Sequence, residues 1–327
     1  MDISNIRQYL SDDMQKVEEL IEASLQSDIS LLNATNRSIL SHGGKKIRPI
    51  MALLIAKACS GGHVKDDTLR FAAASELLHN ATLLHDDVAD DSPNRRGIPT
   101  VMSILGGRAS VLLGDYWLVK AVDRVLQADL NGNEIIRLFA KTLRDLAEGE
   151  MLQLEKAKEC DADEADYYRI IHSKTASLFE AACISAAISV GASEEKIRAA
   201  KSYATNIGIA FQIKDDIFDY QADAAIGKPV GIDLREQKIT LPLLGALYSA
   251  PKEEELEIRK KLKEIQKYPA NLDEIVAFVN KYGGTAYAEK KLNEFVDKAV
   301  IALRALPESK DKEYLKMLAD FVAVRKI

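Results

Sequence analysis

Two aspartate clusters share one spacing, Asp86/Asp87/Asp90 and Asp215/Asp216/Asp219. On a helix, residues four apart stand one turn apart on the same face, so Asp86 with Asp90, and Asp215 with Asp219, can each present two carboxylates to one ligand. Both clusters fall where a helical pattern ends. Negative charge at a helix C-terminus works against the macrodipole, an arrangement that a cation relieves. One such cluster reads as readily as a solvated acidic helix end; two copies favour a metal. Oxygen ligands without a neighbouring set of Cys or His suit Mg²⁺, which takes a few carboxylates and completes its shell with water and phosphate oxygens. The ligand expected beside the metal is therefore phosphorylated.

Basic residues stand near each cluster. Arg95 and Arg96 trail the first, and Lys228 and Lys238 trail the second, where they can bond phosphate oxygens and neutralise charge as a diphosphate departs. The segment Ser41-His42-Gly43-Gly44-Lys45-Lys46-Ile47-Arg48-Pro49 breaks the helical pattern and offers Lys45, Lys46 and Arg48 to an anion. His79 lies about two helical turns before Asp86 and faces the same side, whereas His85 points elsewhere. A lone histidine in an apolar helix is more often a packing residue than a ligand, and only its neighbours argue otherwise. Lys174 and Thr175 sit in an apolar helical stretch, where a buried lysine demands an anionic partner; a snorkelling stem is the alternative. Gln212 precedes Asp215 or Asp216 by one turn and can look into the same cavity.

Long helices are needed to carry these side chains. The 327 residues include only 17 glycines and 8 prolines, and no proline lies between Pro49 and Pro93 or from Thr100 to Lys228. Glycine and proline are the poorest helix formers, so the fold expected is all-α. Apolar residues recur at helical spacing over 1–41 (Met14, Val17, Leu20, Ile21, Leu25) and 66–91 (Ala72, Ala73, Leu77, Leu84, Val88). Helices are expected again from about Met102 and over 115–127, 133–158, 166–190 and 196–220. Loops are expected at 41–49, 92–99 and 221–238, all carrying basic residues. No composition shift, low-complexity tract or short repeat divides the chain, so residues 1–327 are read as a single domain.

A net charge of −6 and the lack of any Lys/Arg block give no footprint for nucleic acid. The three cysteines, Cys59, Cys160 and Cys183, are far apart and without CxxC spacing, which suits reduced thiols in the cytoplasm. The N-terminal MDISNIRQYLSDDMQ has no apolar core of a secretory signal. The most apolar run, Ala181 to Ala192, is too short to span a bilayer and is rich in small residues, as a tightly packed buried helix would be.

Together these segments resemble the polyprenyl (trans-isoprenyl) diphosphate synthase family, whose members carry a GGKxxRP loop, two DDxxD motifs and a GKP…K.TLP segment. They stand here in family order: Gly43 to Pro49, Leu84 to Asp90, Asn94-Arg95-Arg96-Gly97, Phe211 to Asp219, Gly227-Lys228-Pro229 and Lys238-Ile239-Thr240-Leu241-Pro242. The resemblance covers about residues 40–245. Two positions depart from the pattern: Gln237 stands where Gly often precedes the lysine, and Lys46 gives GGKK where GGKR is common.

The resemblance implies an isoprenoid synthase fold, a helical bundle around a deep central cavity. It implies head-to-tail condensation, in which an allylic diphosphate of farnesyl or geranyl type ionises and the cation is attacked by the double bond of isopentenyl diphosphate. Asp86, Asp90 and Asp215 would be the principal ligands of about three Mg²⁺ ions, with Asp87, Asp216 and Asp219 in support. Arg95, Lys174, Lys228 and Lys238 would hold the allylic diphosphate. Lys45, Arg48, His79 and Arg96 would hold isopentenyl diphosphate, and Thr175 with Gln212 would line the path of the cation. A homodimer is implied, with transient membrane contact for product release.

Product length turns on the residues four and five before the first aspartate, where bulky aromatics stop growth in this family. Here they are Thr82 and Ala81, small residues that imply a medium or long product, hexaprenyl to decaprenyl. On an ideal helix Thr82, Leu78 and Ser75 line up below Asp86 while Ala81 is turned away, so other helices also set the depth. Trp117 could join such a floor, though a buried structural role fits it better. The competing readings are a short-chain farnesyl or geranylgeranyl synthase, a terpene cyclase, which would more typically replace the second DDxxD with an Asn/Ser/Glu motif, and a regulatory subunit, expected to lose one cluster or the basic loop.

Overall fold

The computed structural model describes residues 3–95, 97–129, 133–221 and 231–325. The N-terminal segment is not one helix but three: α1 (Ser4–Tyr9), α2 (Ser11–Ser24) and α3 (Ser30–Ser41). The break before α3 has a local cause. The Asn33 side chain accepts from the Ser27 N–H at 3.1 Å and donates to the Ser27 carbonyl at 2.6 Å, so a side chain replaces the helical bonds there.

Next come α4 (Ile47–Ser60) and α5 (Asp66–Ala89). Pro49 lies in the first turn of α4, where a missing N–H costs nothing. α5 opens with Asp66 and Asp67 in its first turn, and the Thr68 hydroxyl accepts from the Lys65 N–H at 3.1 Å. The expected loop at 92–99 contains a two-residue hairpin, β1 (Asn94–Arg95) antiparallel to β2 (Ile98–Pro99). After it come α6 (Val101–Leu105), α7 (Gly107–Leu126), α8 (Asn133–Glu159) and α9 (Glu164–Ile171). α7 therefore starts earlier than the 115–127 expected.

The helix expected over 166–190 is interrupted. A π-helical turn, His172–Ala176, separates α9 from α10 (Ser177–Ser189). α10 is buried on every side, packing against α4, α5, α8 and α11 (Glu194–Phe218), which its small apolar residues permit. The chain continues through α12 (Ile232–Arg235), α13 (Leu241–Ser249), α14 (Lys252–Lys263), α15 (Asn271–Lys281), α16 (Gly284–Ala302), a 3₁₀ turn (Leu303–Ala305) and α17 (Lys310–Val324).

One connected apolar core runs from Ile3 to Val322 and includes residues of almost every long helix. α5 packs along α7, and α11 along α16. These two pairings bring the acidic ends of α5 and α11 into the bundle. Trp117 is fully buried and donates from Nε1 to Asn36 Oδ1 at 2.9 Å, so its role is structural. Among the described residues no helix is long and apolar enough to cross a membrane.

Candidate active site

Lys174 is held by α8 within electrostatic reach of both acidic regions. Its ammonium bonds Glu150 Oε1 at 2.6 Å and Gln153 Oε1 at 3.1 Å, both on α8. Its charge also acts on Asp86 in the first cluster and on Asp233, just beyond the second. The anionic partner demanded by a lysine in an apolar helix is thus Glu150. Lys238 lies within the same reach of both. Burial works against its charge, but the neighbouring carboxylates of Glu236, Asp233 and Asp90 outweigh that and hold it protonated.

In the first cluster Asp86 and Asp90 lie at the last turn of α5, and Asp90 is its C-cap residue. Among the described residues neither carboxylate takes part in a hydrogen bond or ion pair. Burial, then the nearby Glu150, pushes the Asp86 carboxyl up to about 6, with Asp90 adding to the effect and Lys174 and Arg95 opposing it. Asp87 is placed differently. It is 5% exposed and accepts from Arg95 Nε at 2.8 Å. This pair borders a cavity of about 330 Å³ between α3, α5 and α6, lined otherwise mainly by apolar side chains such as Leu31, Ile39 and Leu83.

The second cluster is tied down throughout. Asp215 Oδ1 accepts from Arg325 Nη2 at 2.6 Å, and the same nitrogen donates to the Phe211 carbonyl while the guanidinium lies over the Phe211 ring, 3.9 Å from its centre. Asp216 accepts from Tyr167 OH at 2.6 Å and from Gln212 Nε2 at 2.9 Å, and Gln212 in turn accepts from Thr175 Oγ1 at 2.7 Å. Burial and the nearby Asp233 push the Asp216 carboxyl upward, and the two donors pull it back only in part. Asp219 takes the backbone N–H groups of Ile232 and Asp233 at 3.0 and 3.1 Å, starting α12.

The family model described as Polyprenyl synthetase matches residues 29–279. The chain belongs to the polyprenyl synthetase family. It is 40% identical over 320 residues to the octaprenyl diphosphate synthase of Haemophilus influenzae, covering 98% of this chain and 96% of the relative. To the octaprenyl diphosphate synthase of Escherichia coli it is 36% identical over 326 residues, covering 99% of each. In structure it resembles the Caulobacter crescentus polyprenyl synthase complexed with calcium and isoprenyl diphosphate, with TM-score 0.91, 34% identity and coverage of 100% of this chain and 98% of that one. The fold is accordingly the all-α isoprenoid synthase fold, and the chain is a prenyltransferase that joins isopentenyl diphosphate to an allylic diphosphate.

The synthase's cation would meet a suitable donor set. Magnesium dependence is general to the family, and a half-buried carboxylate with no donor of its own, as at Asp86, is what a hard cation compensates. Among the described residues no three His, Cys, Asp or Glu side chains gather closely enough to hold a metal ion by themselves. Phosphate and water oxygens would therefore complete the shell.

Elsewhere in the synthase, the Lys45 ammonium stands 5.3 Å from the centre of the Phe321 ring, and the Arg48 guanidinium 4.5 Å from that of Phe179 on α10. His79 is half-buried on α5, and its carbonyl accepts from Thr82 Oγ1 at 2.8 Å. His85 turns to α7, with Nε2 3.2 Å from Asp115 Oδ1. Arg96 and Lys228 lie outside the described residues. Both departures from the family pattern fall on left-handed backbone, Lys46 at φ 50° and Gln237 at φ 59°, so the position where relatives often carry Gly is one that favours it.

Sequence reasoning passed over Glu150, Gln153, Tyr167, Asp233 and Arg325. Asp233, five residues before Lys238, was within reach of a motif reading. Tyr167 and Arg325 are joined to the aspartates only by tertiary packing, 49 and 110 residues away in the chain.

Proposed function

We propose that this single-domain synthase, residues 1–327, works in the cytoplasm as a homodimer and repeats the condensation to a medium or long trans-polyprenyl diphosphate. The supporting observation is the neighbouring pair Lys174 and Thr175: Lys174 bonds Glu150 at 2.6 Å with its charge acting on Asp86 and Asp233, and Thr175 bonds Gln212, which bonds Asp216. A diphosphate placed between the clusters would meet this ammonium and any cations the carboxylates hold.

In this reading Asp86, Asp90 and Asp215 hold about three magnesium ions, with Asp87, Asp216 and Asp219 behind them. Bound magnesium would supply charge neutralisation for the departing diphosphate. Lys174, Arg95, Lys228 and Lys238 bind and orient the allylic diphosphate. Asp87 keeps Arg95 in place through their 2.8 Å bond. Lys45, Arg48, His79 and Arg96 bind isopentenyl diphosphate so that its double bond faces the allylic carbon, which removes much of the entropic barrier. Thr175 and Gln212 line the path of the cation, and the buried helices α10 and α11 keep water from it. The final proton passes to the released diphosphate.

Length follows from the floor. Thr82, Leu78 and Ser75, the α5 residues in line below Asp86, are not aromatic, and the one phenyl ring of this helix, Phe71, stands a turn beyond Ser75, which leaves a long space below Asp86. The homodimer is supported by exposed Leu112, Val119 and Leu126 on α7, seven residues apart on one face, with exposed Met151 and Leu154 on α8. Sedimentation should give twice the mass of the chain, and aspartate at Val119 should halve it.

Purified protein with magnesium, farnesyl diphosphate and labelled isopentenyl diphosphate should release products of six to ten isoprene units by mass spectrometry, about the octaprenyl size of the relatives. Products confined to farnesyl or geranylgeranyl size would overturn the open floor.

A further inference from the structure

Lys174 and Thr175 lie in the π-helical turn His172–Ala176. Such turns are rare, bond less well than an α-helix and persist where their surroundings hold them, often at functional sites. The Ser177 N–H reaches back to the His172 carbonyl, and the Ser177 hydroxyl takes up the Ser173 carbonyl at 2.7 Å.

Two glycines on flanking helices make room for the wide turn. A Cβ at Gly149 on α8 would come within 2.6 Å of the Ser173 Cβ, and one at Gly208 on α11 would come within 2.5 Å of the Ala176 Cα. Neither glycine has positive φ, so close approach and not backbone freedom is what they supply.

A third device spans the turn and both its flanks. His172 Nε2 is 2.8 Å from Glu180 Oε1, eight residues on, and the same oxygen accepts from Thr205 Oγ1 of α11 at 2.6 Å. Glu180 is 7% exposed. Burial raises its carboxyl, but the bonds from His172 and Thr205 outweigh that and leave it below the usual range, an ionised acceptor. Side chains on a regular helix pair three or four apart; this contact bridges about two turns.

We infer that the hydrogen-bonded set His172, Glu180 and Thr205 is a positioning device for the reaction: it fixes the π turn and so aims Lys174 and Thr175 at the two aspartate clusters. Thr175 bonds Gln212, which bonds Asp216 of the second cluster, and Lys174, held by Glu150 and Gln153 of α8, stands where its charge acts on Asp86 of the first. The inference rests on the reading of Lys174 and Thr175 as substrate-facing residues.

The test compares Glu180→Ala, Gly149→Ala, His172→Ala and His172→Gln with Lys174→Ala, measuring kcat, the KM of each substrate and the melting temperature. Displacing a positioned group by about 1 Å costs up to about a hundredfold, so Glu180→Ala and Gly149→Ala should each lower kcat/KM for the allylic substrate by about ten- to a hundredfold. The KM for isopentenyl diphosphate should change less than about twofold, since Lys45 and Arg48 stand on other elements. His172→Gln, which keeps a side-chain donor, should recover most of what His172→Ala loses. If Glu180→Ala does not accumulate as folded protein, Gly149→Ala and the His172 pair decide.

If Lys174→Ala is disabling while those variants lower only the melting temperature, the clasp is structural and the inference falls alone. If Lys174→Ala leaves kcat/KM unchanged, the reading of Lys174 fails and the inference falls with it.

Discussion

At the end of α5, Asp86 and Asp90 present carboxylates that no described side chain bonds, whereas at the end of α11 all three aspartates are taken. Arg325 holds Asp215, Tyr167 and Gln212 hold Asp216, and the first N–H groups of α12 hold Asp219. The sequence spells both clusters DDxxD. Their surroundings leave Asp86 and Asp90 without bonded partners among the described residues, facing the charges of Lys174, Arg95 and Lys238, and make the other cluster part of the fabric of the bundle. A half-buried carboxylate without a bonded partner, as at Asp86, costs stability that a bound cation returns, while a bonded one gives its donors an acceptor before any ligand arrives.

The largest effect expected from this contrast is on the chemistry. Asp86→Ala should lower prenyl transfer by about 10²–10³-fold, the range for losing one group that stabilises developing charge. Its melting temperature should hold or rise, because the carboxylate removed has no bonded partner. Asp216→Ala should also lose activity, but with a folding cost of about 1–3 kcal/mol, since the Tyr167 hydroxyl and the Gln212 amide lose their acceptor. Denaturant titration of both variants decides it. Equal stability losses would erase the distinction between the clusters.

The same contrast explains what could be read from the chain alone. Helix ends, acidic pairs and basic loops are local, so the termini of α5 and α11 and the anionic demand of Lys174 were legible from spacing and composition. The π turn was not, because His172-Ser173-Lys174-Thr175-Ala176 contains no helix breaker; only Gly149 and Gly208, on other helices, betray the wider turn. Nor was the division of labour within each DDxxD legible. Asp87 differs from Asp86 by 100° around the helix, yet its capture by Arg95 depends on how the β1–β2 hairpin folds back. Arg325 reaches Asp215 only because α17 ends beside α11.

Burial leaves a pH signature at both clusters, since it raises the carboxyls of Asp86 and of Asp216. The Asp86 carboxyl is raised from 3.8 to about 6 in the folded protein, chiefly by burial. A raised acid leaves stability intact below its unfolded value and lowers it as pH climbs through the folded value. Metal-free protein should therefore lose on the order of 1 kcal/mol per pH unit from this group between about pH 4 and 6. Magnesium with a diphosphate should restore the loss most strongly at the upper end of that window. Asp86→Asn should flatten the difference between melting curves with and without metal; an unchanged difference would place the metal's anchor elsewhere.

The smallest effect probes the other side. Because the Arg325 guanidinium sits on Asp215, a cation approaching that carboxylate must compete with it. Arg325→Met keeps an aliphatic stem against Phe211 but removes the charge, so the magnesium concentration needed for half-maximal activity should fall by a few-fold, while the Asp86 side of the site is untouched. Magnesium titrations of the steady-state rate, run at saturating substrates, would measure it. An unchanged requirement would mean that the ion pair opens without cost and that the second cluster is as available as the first. A raised requirement would mean that Arg325 holds Asp215 in the pose the cation needs.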